Sequence, residues 1–200
     1  RGIEGDVAVF DAVQLEGHHQ VQVDRSRDAL LTDFGKETLT DRYLLPGESY
    51  QDLFARVADA YADELRRGLD EIEAQSARLP LRPRVYFEEW DEPMISGLQW
   101  VSELIGIAGG QEAFPELAGM KSARDRILTS EQVIAAAPDV ILASWCGKKV
   151  RPERIAARPG WDAIPAVRNG RIVEIKSSLI LQPGPAALTE GLDAICAALA

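Results

Sequence analysis

The stretch "VYFEEWDEPMISGLQWVSELIGIAGG", residues 85–110, passes from a strand pattern to a helix pattern within 26 residues. Its start belongs to the β-rich run "PRVYF" at 83–87, which reads as a buried strand. A polar interruption follows, opening with Glu88, Glu89 and Trp90. Then "SGLQWVSELIGIAG" at 96–109 repeats apolar residues at helical spacing, and Gly109 and Gly110 close that helix. Strand, loop and helix in this order form the first half of a βαβ unit.

Downstream, the same alternation continues. "TSEQVIAAAP" (129–138) reads as a short helix with Thr129 or Ser130 as its cap and Pro138 beyond its end. "DVILAS" (139–144) reads as a buried strand, "RPERIAARPGWDAI" (151–164) as a helix and turn, and "GRIVEIK" (170–176) as a third strand. "GPAALTEGLDAICAALA" (184–200) is the closing helix. The pattern predicts a three-layer α/β lobe with a small, mainly parallel sheet.

Upstream, Leu53, Phe54, Val57, Ala58, Tyr61, Leu65, Leu69 and Ile72 recur at helical spacing and predict one long amphipathic helix. Ser49 is its expected N-cap, with the acid Asp52 three residues on, and "LPLRP" stops it near Ala77. Before it, "DVAVFDAVQL" (6–15) alternates weakly like a strand, "EGHHQVQVDRSRD" reads as loop, and residues 28–49 give only short helical turns. The expected organisation is an irregular, poorly packed segment 1–49, a linker helix 50–79 and an α/β ligand-binding lobe 80–200.

The 200 residues are 46% hydrophobic and 27% charged, ordinary globular usage. A net charge of −10 argues against a nucleic acid as partner. Residues 1–63 hold 13 acids against 6 bases and residues 64–200 hold 19 against 16, so the two parts differ in character. No apolar run approaches 18 residues, and no membrane insertion is expected.

In open α/β sheets, ligands collect beyond the carboxyl ends of the strands. The three predicted exits carry "EEWDEP", "WCGKKVRP" and "SSLILQPGP". Trp90 and Trp145 follow two of the three strands, and loop indoles offer flat apolar area with a polar N–H. Glu88 and Glu89 are adjacent, so on an extended backbone they diverge and make a poor acid–base pair. The bland alternative is one solvated and one hydrogen-bonded carboxylate. Cys146 lies beside Lys148 and Lys149, but the only histidines, His18 and His19, sit far off in a polar segment without a base or metal-ligand pattern. "GGQEAF" (109–114) lacks phosphate-loop spacing and reads as a helix C-cap. In "LQPGPAAL", Pro183 and Pro185 stiffen a turn before a helix, either a rigid connection or a ligand-contact loop.

Four segments, "RVYFEEWDEPMISGLQWVSELIGIAGG", "APDVILASWCGKK", "RPGWDAIPAVRNGRI" and "ILQPGPAALTEGLDAI", resemble in order and spacing the C-terminal lobe of the cobalamin-binding proteins of ABC importers, over residues 64–200. That resemblance implies two α/β lobes joined by a long rigid helix, with the ligand clamped between them. It implies that Trp90, Trp145, Gln182 and Pro183 line the cleft and that Glu88 or Glu89 contacts ligand amides. It further implies a non-enzymatic corrinoid carrier, or a surviving half of one, with cobalamin as ligand rather than cofactor, no bound metal of its own, and an importer permease as partner. A periplasmic location follows from the family; residues 1–200 show no charged-then-apolar leader, which leaves a cytoplasmic one as the alternative.

Residues 1–63 do not resemble the N-terminal lobe that the family would place there. Residues 22–63 instead resemble the N-terminal segment of a cobalamin-dependent ribonucleotide reductase large subunit. The reactive cysteine set of that enzyme is not supplied, so its activity does not transfer. A non-catalytic reductase fragment, or a fused product without selected activity, are the competing expectations.

Overall fold

In a computed structural model of the chain, residues 22–200 are described. The expected strand at 6–15 and the His18–His19 pair lie outside them. The described residues pack as two units divided at Glu64/Leu65, within one helix.

In the first unit, a 3-10 turn (Arg25–Leu30) is capped by Asp24, whose carboxylate accepts from the Ser26 N–H at 3.1 Å. Helix α1 (Asp33–Arg42) follows, with the Thr32 hydroxyl accepting from the Gly35 N–H. Residues 33–42 are thus regular helix, where only short turns were expected. The N-cap satisfies a first-turn donor, and ten residues suffice for a helix once that end is fixed.

Helix α2 (Tyr50–Ser76) starts as its sequence predicts. The Ser49 hydroxyl accepts from the Asp52 N–H at 3.2 Å, and Asp52 accepts in return from the Ser49 N–H at 2.9 Å. The Ser49 hydroxyl, donating to the Asp52 carboxylate at 2.7 Å, and then the Ser49 N–H and Arg25 hold that carboxyl down at about 2. The apolar stripe of α2 is not one buried face, however. Leu53 is buried, while Val57 and Tyr61 stay 54% and 47% exposed. Periodicity marks what a helix is able to bury; the partner decides what it does bury.

The second unit is an α/β lobe. After α2 come β1 (Arg84–Asp91), β2 (Met94–Ser96), α3 (Gln99–Ile107), β3 (Gln111–Glu112) and the single turn α4 (Pro115–Ala118). Then follow α5 (Ser130–Ala136), β4 (Val140–Ala143), α6 (Pro152–Ala156), α7 (Pro165–Arg168), β5 (Ile172–Glu174), α8 (Ser177–Ile180) and α9 (Leu192–Leu199). The sheet order is β2-β1-β4-β5, with β3 also on β1. The pairings β1–β4, β4–β5 and β1–β3 are parallel, and β1–β2 is an antiparallel hairpin. The sheet is therefore small and mixed, with mainly parallel pairs.

Both faces of β1 and β4 are covered, which explains their unbroken apolar runs. Val85, Phe87, Val140 and Leu142 join a core with α3, α9 and the Leu69 and Ile72 side chains of α2. Tyr86, Ile141 and Ala143 join a second core with Val133, Ile155, Trp161 and Ala166. Two cores on opposite faces make the three layers.

The glycines after α3 form a Schellman end. Gly109 has φ +89°, and the Gly110 N–H donates to the Ile105 carbonyl at 2.8 Å. A Cβ on Gly110 would stand 2.8 Å from Ile105 Cγ2 and 3.0 Å from Val85 Cγ2, so the strand and helix approach only a glycine this closely. The chain then continues as β3, an edge pairing hidden from sequence by its length of two residues.

Helix α5 carries a full capping box: the Thr129 hydroxyl accepts from the Gln132 N–H and the Gln132 side chain accepts from the Thr129 N–H. Thr129→Ala is expected to lower stability by about 1 kcal/mol, checked by urea denaturation followed by circular dichroism. A loss below about 0.3 kcal/mol would mean that packing alone fixes this helix.

Candidate functional site

Strand β1 does not end at Phe87; it runs on to Asp91, so Glu88, Glu89 and Trp90 stand in the strand and not in a loop beyond it. The extra length is stabilised by the β2 hairpin, whose register slips between Glu88 and Trp90. Glu88 pairs with Ser96 and Trp90 with Ile95, which leaves Glu89 as the extra, bulged residue. The alternating code breaks there, and the two acids part company.

Glu88 is fully buried. Its carboxylate receives a forked ion pair from Arg158, Nη1 to Oε2 at 2.5 Å and Nη2 to Oε1 at 3.0 Å. The Trp145 indole N–H donates to Oε1 at 3.2 Å and the Tyr86 hydroxyl to Oε2 at 3.2 Å. Burial, and then the Glu88 charge, push the Tyr86 hydroxyl well above the usual phenol range, so it stays a donor. Burial works against the Arg158 charge, but its hydrogen bond and pairing with Glu88 prevail and raise its pKa. The guanidinium also lies 4.5 Å over the Trp161 ring, whose indole N–H donates to the Ser130 hydroxyl at 2.6 Å. A buried carboxylate with four donors is an anchor for the surrounding side chains.

Glu89 accepts from Arg126 Nη1 at 2.5 Å, and the same nitrogen also donates to the Ser96 carbonyl. Arg126 is 2% exposed, which makes the bulge a second buried charge site. At the end of β1, Asp91 holds Lys148 through both oxygens, at 2.6 and 2.8 Å. The Lys148 ammonium lies 5.0 Å from the Trp145 ring and 5.3 Å from the Trp90 ring.

Above this scaffold, beyond the carboxyl ends of β1 and β4, lies an open depression of about 460 Å³. Asp91, Glu92, Met94, Trp145, Arg154 and Arg158 are among its lining residues. Of the side chains singled out in the sequence, Trp145 lines it, although only 2% exposed. Trp90 is not among the lining residues; it is half-buried beside Trp145 and donates its indole N–H to the Glu92 carbonyl at 3.1 Å. Glu88 lies beneath, its oxygens taken up by internal donors. Gln182 and Pro183 are exposed in the turn after α8 and do not line the depression.

Arg158, Asp91 and Arg126 escaped the sequence reading. One signal was available: an acid inside a strand buried on both faces demands a cation, though "LRPR", "ARDR" and "RPERIAARP" all supply arginines and the sequence does not choose among them. Cys146 is exposed. Among the described residues no group of three or more His, Cys, Asp or Glu side chains is placed to hold a metal ion. No described helix is long and apolar enough to cross a membrane.

Comparison with known proteins follows the same lines. Residues 47–179 match the sequence pattern of the periplasmic binding proteins. No curated protein sequence matches the chain. Among solved structures, a possible iron-binding periplasmic solute-binding protein from Staphylococcus epidermidis is similar, with TM-score 0.61 and 19% identity over 89% of this chain and 63% of its own. The periplasmic vitamin B12 binding protein BtuF of Vibrio cholerae gives TM-score 0.55 and 23% identity, over 72% of this chain and 54% of its own. The periplasmic heme-binding protein RhuT from Roseiflexus sp. RS-1 gives 0.57 and 24%, over 76% and 59%. The chain thus spans less than two thirds of the length of these structures. The family pattern covers more than half of the chain, and the sheet, the helices on both its faces and the long helix α2 accord with it: the chain belongs to the periplasmic binding protein family.

Proposed function

We propose that the chain binds a corrinoid, cobalamin or a close relative, as one lobe of the solute-binding component of an ABC-type importer. The observation that carries this reading is the depression at the carboxyl ends of β1 and β4, with Trp145 in its floor and Trp90 beside it. Its volume of about 460 Å³ is in the range of small-molecule sites, and an indole floor with charged rims suits a large ring system bearing amide side chains. The similar structures include a vitamin B12 binding, a heme-binding and a possible iron-binding protein, which supports a metallated or chelated ligand of this kind.

Recognition would rest on shape and stacking without covalent chemistry, with a permease as downstream partner and the periplasm as location. In this reading Glu88 acts from below through its hydrogen bonds to Trp145 and Arg158, while Glu89, Gln182 and Pro183 are not among the lining residues. The lining residues fall between Asp91 and Pro159.

A one-sided depression covers only part of such a ligand, so affinity is expected to be weak, with Kd on the order of 10–100 μM. Calorimetric titration of roughly 300 μM protein with cyanocobalamin and with dicyanocobinamide tests this. Saturable heat with either supports a corrinoid site. Heat with hemin alone would reassign the ligand, and no heat with any of the three would overturn the binding reading.

A further inference from the structure

The rim of the depression holds a cation where a ligand group is able to sit. Asp91, the last residue of β1, has a side chain only 6% exposed and needs a positive partner. Trp90 and Trp145 flank it, and both ring centroids lie within the roughly 6 Å reach of a cation–π contact from the bound ammonium. A carboxylate and two indoles around one point make an aromatic cage. Its present occupant is the chain's own Lys148.

Lys148 is a detachable occupant. Residues 146–149 are all exposed, Gly147 within them has φ +68°, and the Lys148 side chain itself is 39% exposed. Withdrawing Lys148 into water costs its contacts but no steric rearrangement of the core. What replaces it is restricted by charge. A neutral or anionic group would leave the Asp91 carboxylate unpaired in a nearly closed site, whereas another cation restores both the ion pair and the two ring contacts.

We infer that Trp90, Trp145 and Asp91 form a cation-accepting subsite for an organic ammonium group, primary or methylated, which enters by displacing Lys148. The tether gives Lys148 an effective concentration on the order of millimolar, so a simple ammonium competes only above that level. A larger ligand whose body occupies the adjoining depression competes better, because Asp91 and Trp145 line both. Lys148 thereby sets which ligands gain the cage. The subsite does not depend on the corrinoid reading; it needs only the three cage residues.

The test is carried out on the full chain. Lys148→Met keeps the aliphatic stem and removes the charge. It is expected to melt about 5 °C lower than the parent. Choline chloride, with sodium chloride at equal ionic strength as control, is expected to recover most of that loss with half-effect in the low millimolar range, about 1–10 mM. It also shifts the indole N–H resonances of Trp90 and Trp145, while those of Trp100 and Trp161 stay in place. The parent protein responds at least 10-fold more weakly, and the double variant Asp91→Asn/Lys148→Met does not respond. Equal effects of choline and sodium chloride on Lys148→Met, or an equal choline response in the double variant, would overturn the proposal. If Lys148→Met does not fold, choline titration of the parent decides. Selective movement of the same two indole resonances at roughly 200 mM choline supports the subsite, and its absence refutes it. Cyanocobalamin heat is irrelevant to each of these outcomes.

Discussion

Arg158→Ala is expected to destabilise the 65–200 unit by about 3–5 kcal/mol, the range for removing one partner of a buried ion pair. The reason is the carboxylate left behind. Glu88 has no exposed surface, and Arg158 supplies two of its four donors and its only positive charge among the described residues. Trp145 and Tyr86 remain, but two neutral donors do not offset a buried negative charge. Arg158 also covers the Trp161 ring, so its loss opens the second core at the same point. Lysine should substitute poorly, because an ammonium offers neither the fork nor the flat stacking surface. Chemical denaturation, read at the tryptophans, measures the loss. The double variant Glu88→Leu/Arg158→Leu should recover part of it, since neither charge then remains buried. A cost under about 1 kcal/mol for Arg158→Ala would show that Glu88 is solvated and that this anchor does not exist.

What could be read from sequence followed what burial imposes locally. The unbroken apolar run of "DVILAS" required a strand covered on both faces, and β4 is that strand. The paired glycines after "IGIA" required a helix end. The reading failed wherever a residue's role depended on a distant partner. Nothing near Glu88 announces Arg158, seventy residues on. Without that partner, "EEW" read as the start of a loop, because charged residues seldom continue a buried strand. The bulge at Glu89 hid the alternation that would have shown the strand continuing. Likewise the apolar stripe of α2 suggested one buried face, though Val57 and Tyr61 stay about half exposed. The strand end that carries the depression was legible from the indole at Trp145; the ion pairs beneath it were not, because they join residues far apart in sequence.

The two indoles looked equivalent in sequence and should behave differently when removed. Trp145→Ala is expected to cost about 3–5 kcal/mol, the range for truncating a buried aromatic. The ring is 2% exposed, packs with Val150, Ile155 and Trp161 in the second core, and gives its N–H to Glu88. Truncation therefore leaves a cavity and takes one donor from a buried carboxylate. Trp90 is half-buried, and its N–H reaches only the Glu92 carbonyl two residues away. Trp90→Ala should cost about 1 kcal/mol, the lost area of one partly covered ring. Ligand binding reverses the usefulness of the two variants. Trp145→Ala confounds binding with stability, whereas Trp90→Ala stays folded and isolates the contribution of its ring. If the corrinoid reading is right, Trp90→Ala should weaken cyanocobalamin binding about 5- to 10-fold, the value of one aromatic contact. Unfolding by Trp90→Ala comparable to that by Trp145→Ala would place both rings in the core. Unchanged affinity in a folded Trp90→Ala protein would remove Trp90 from the ligand wall and leave Trp145 as its only indole.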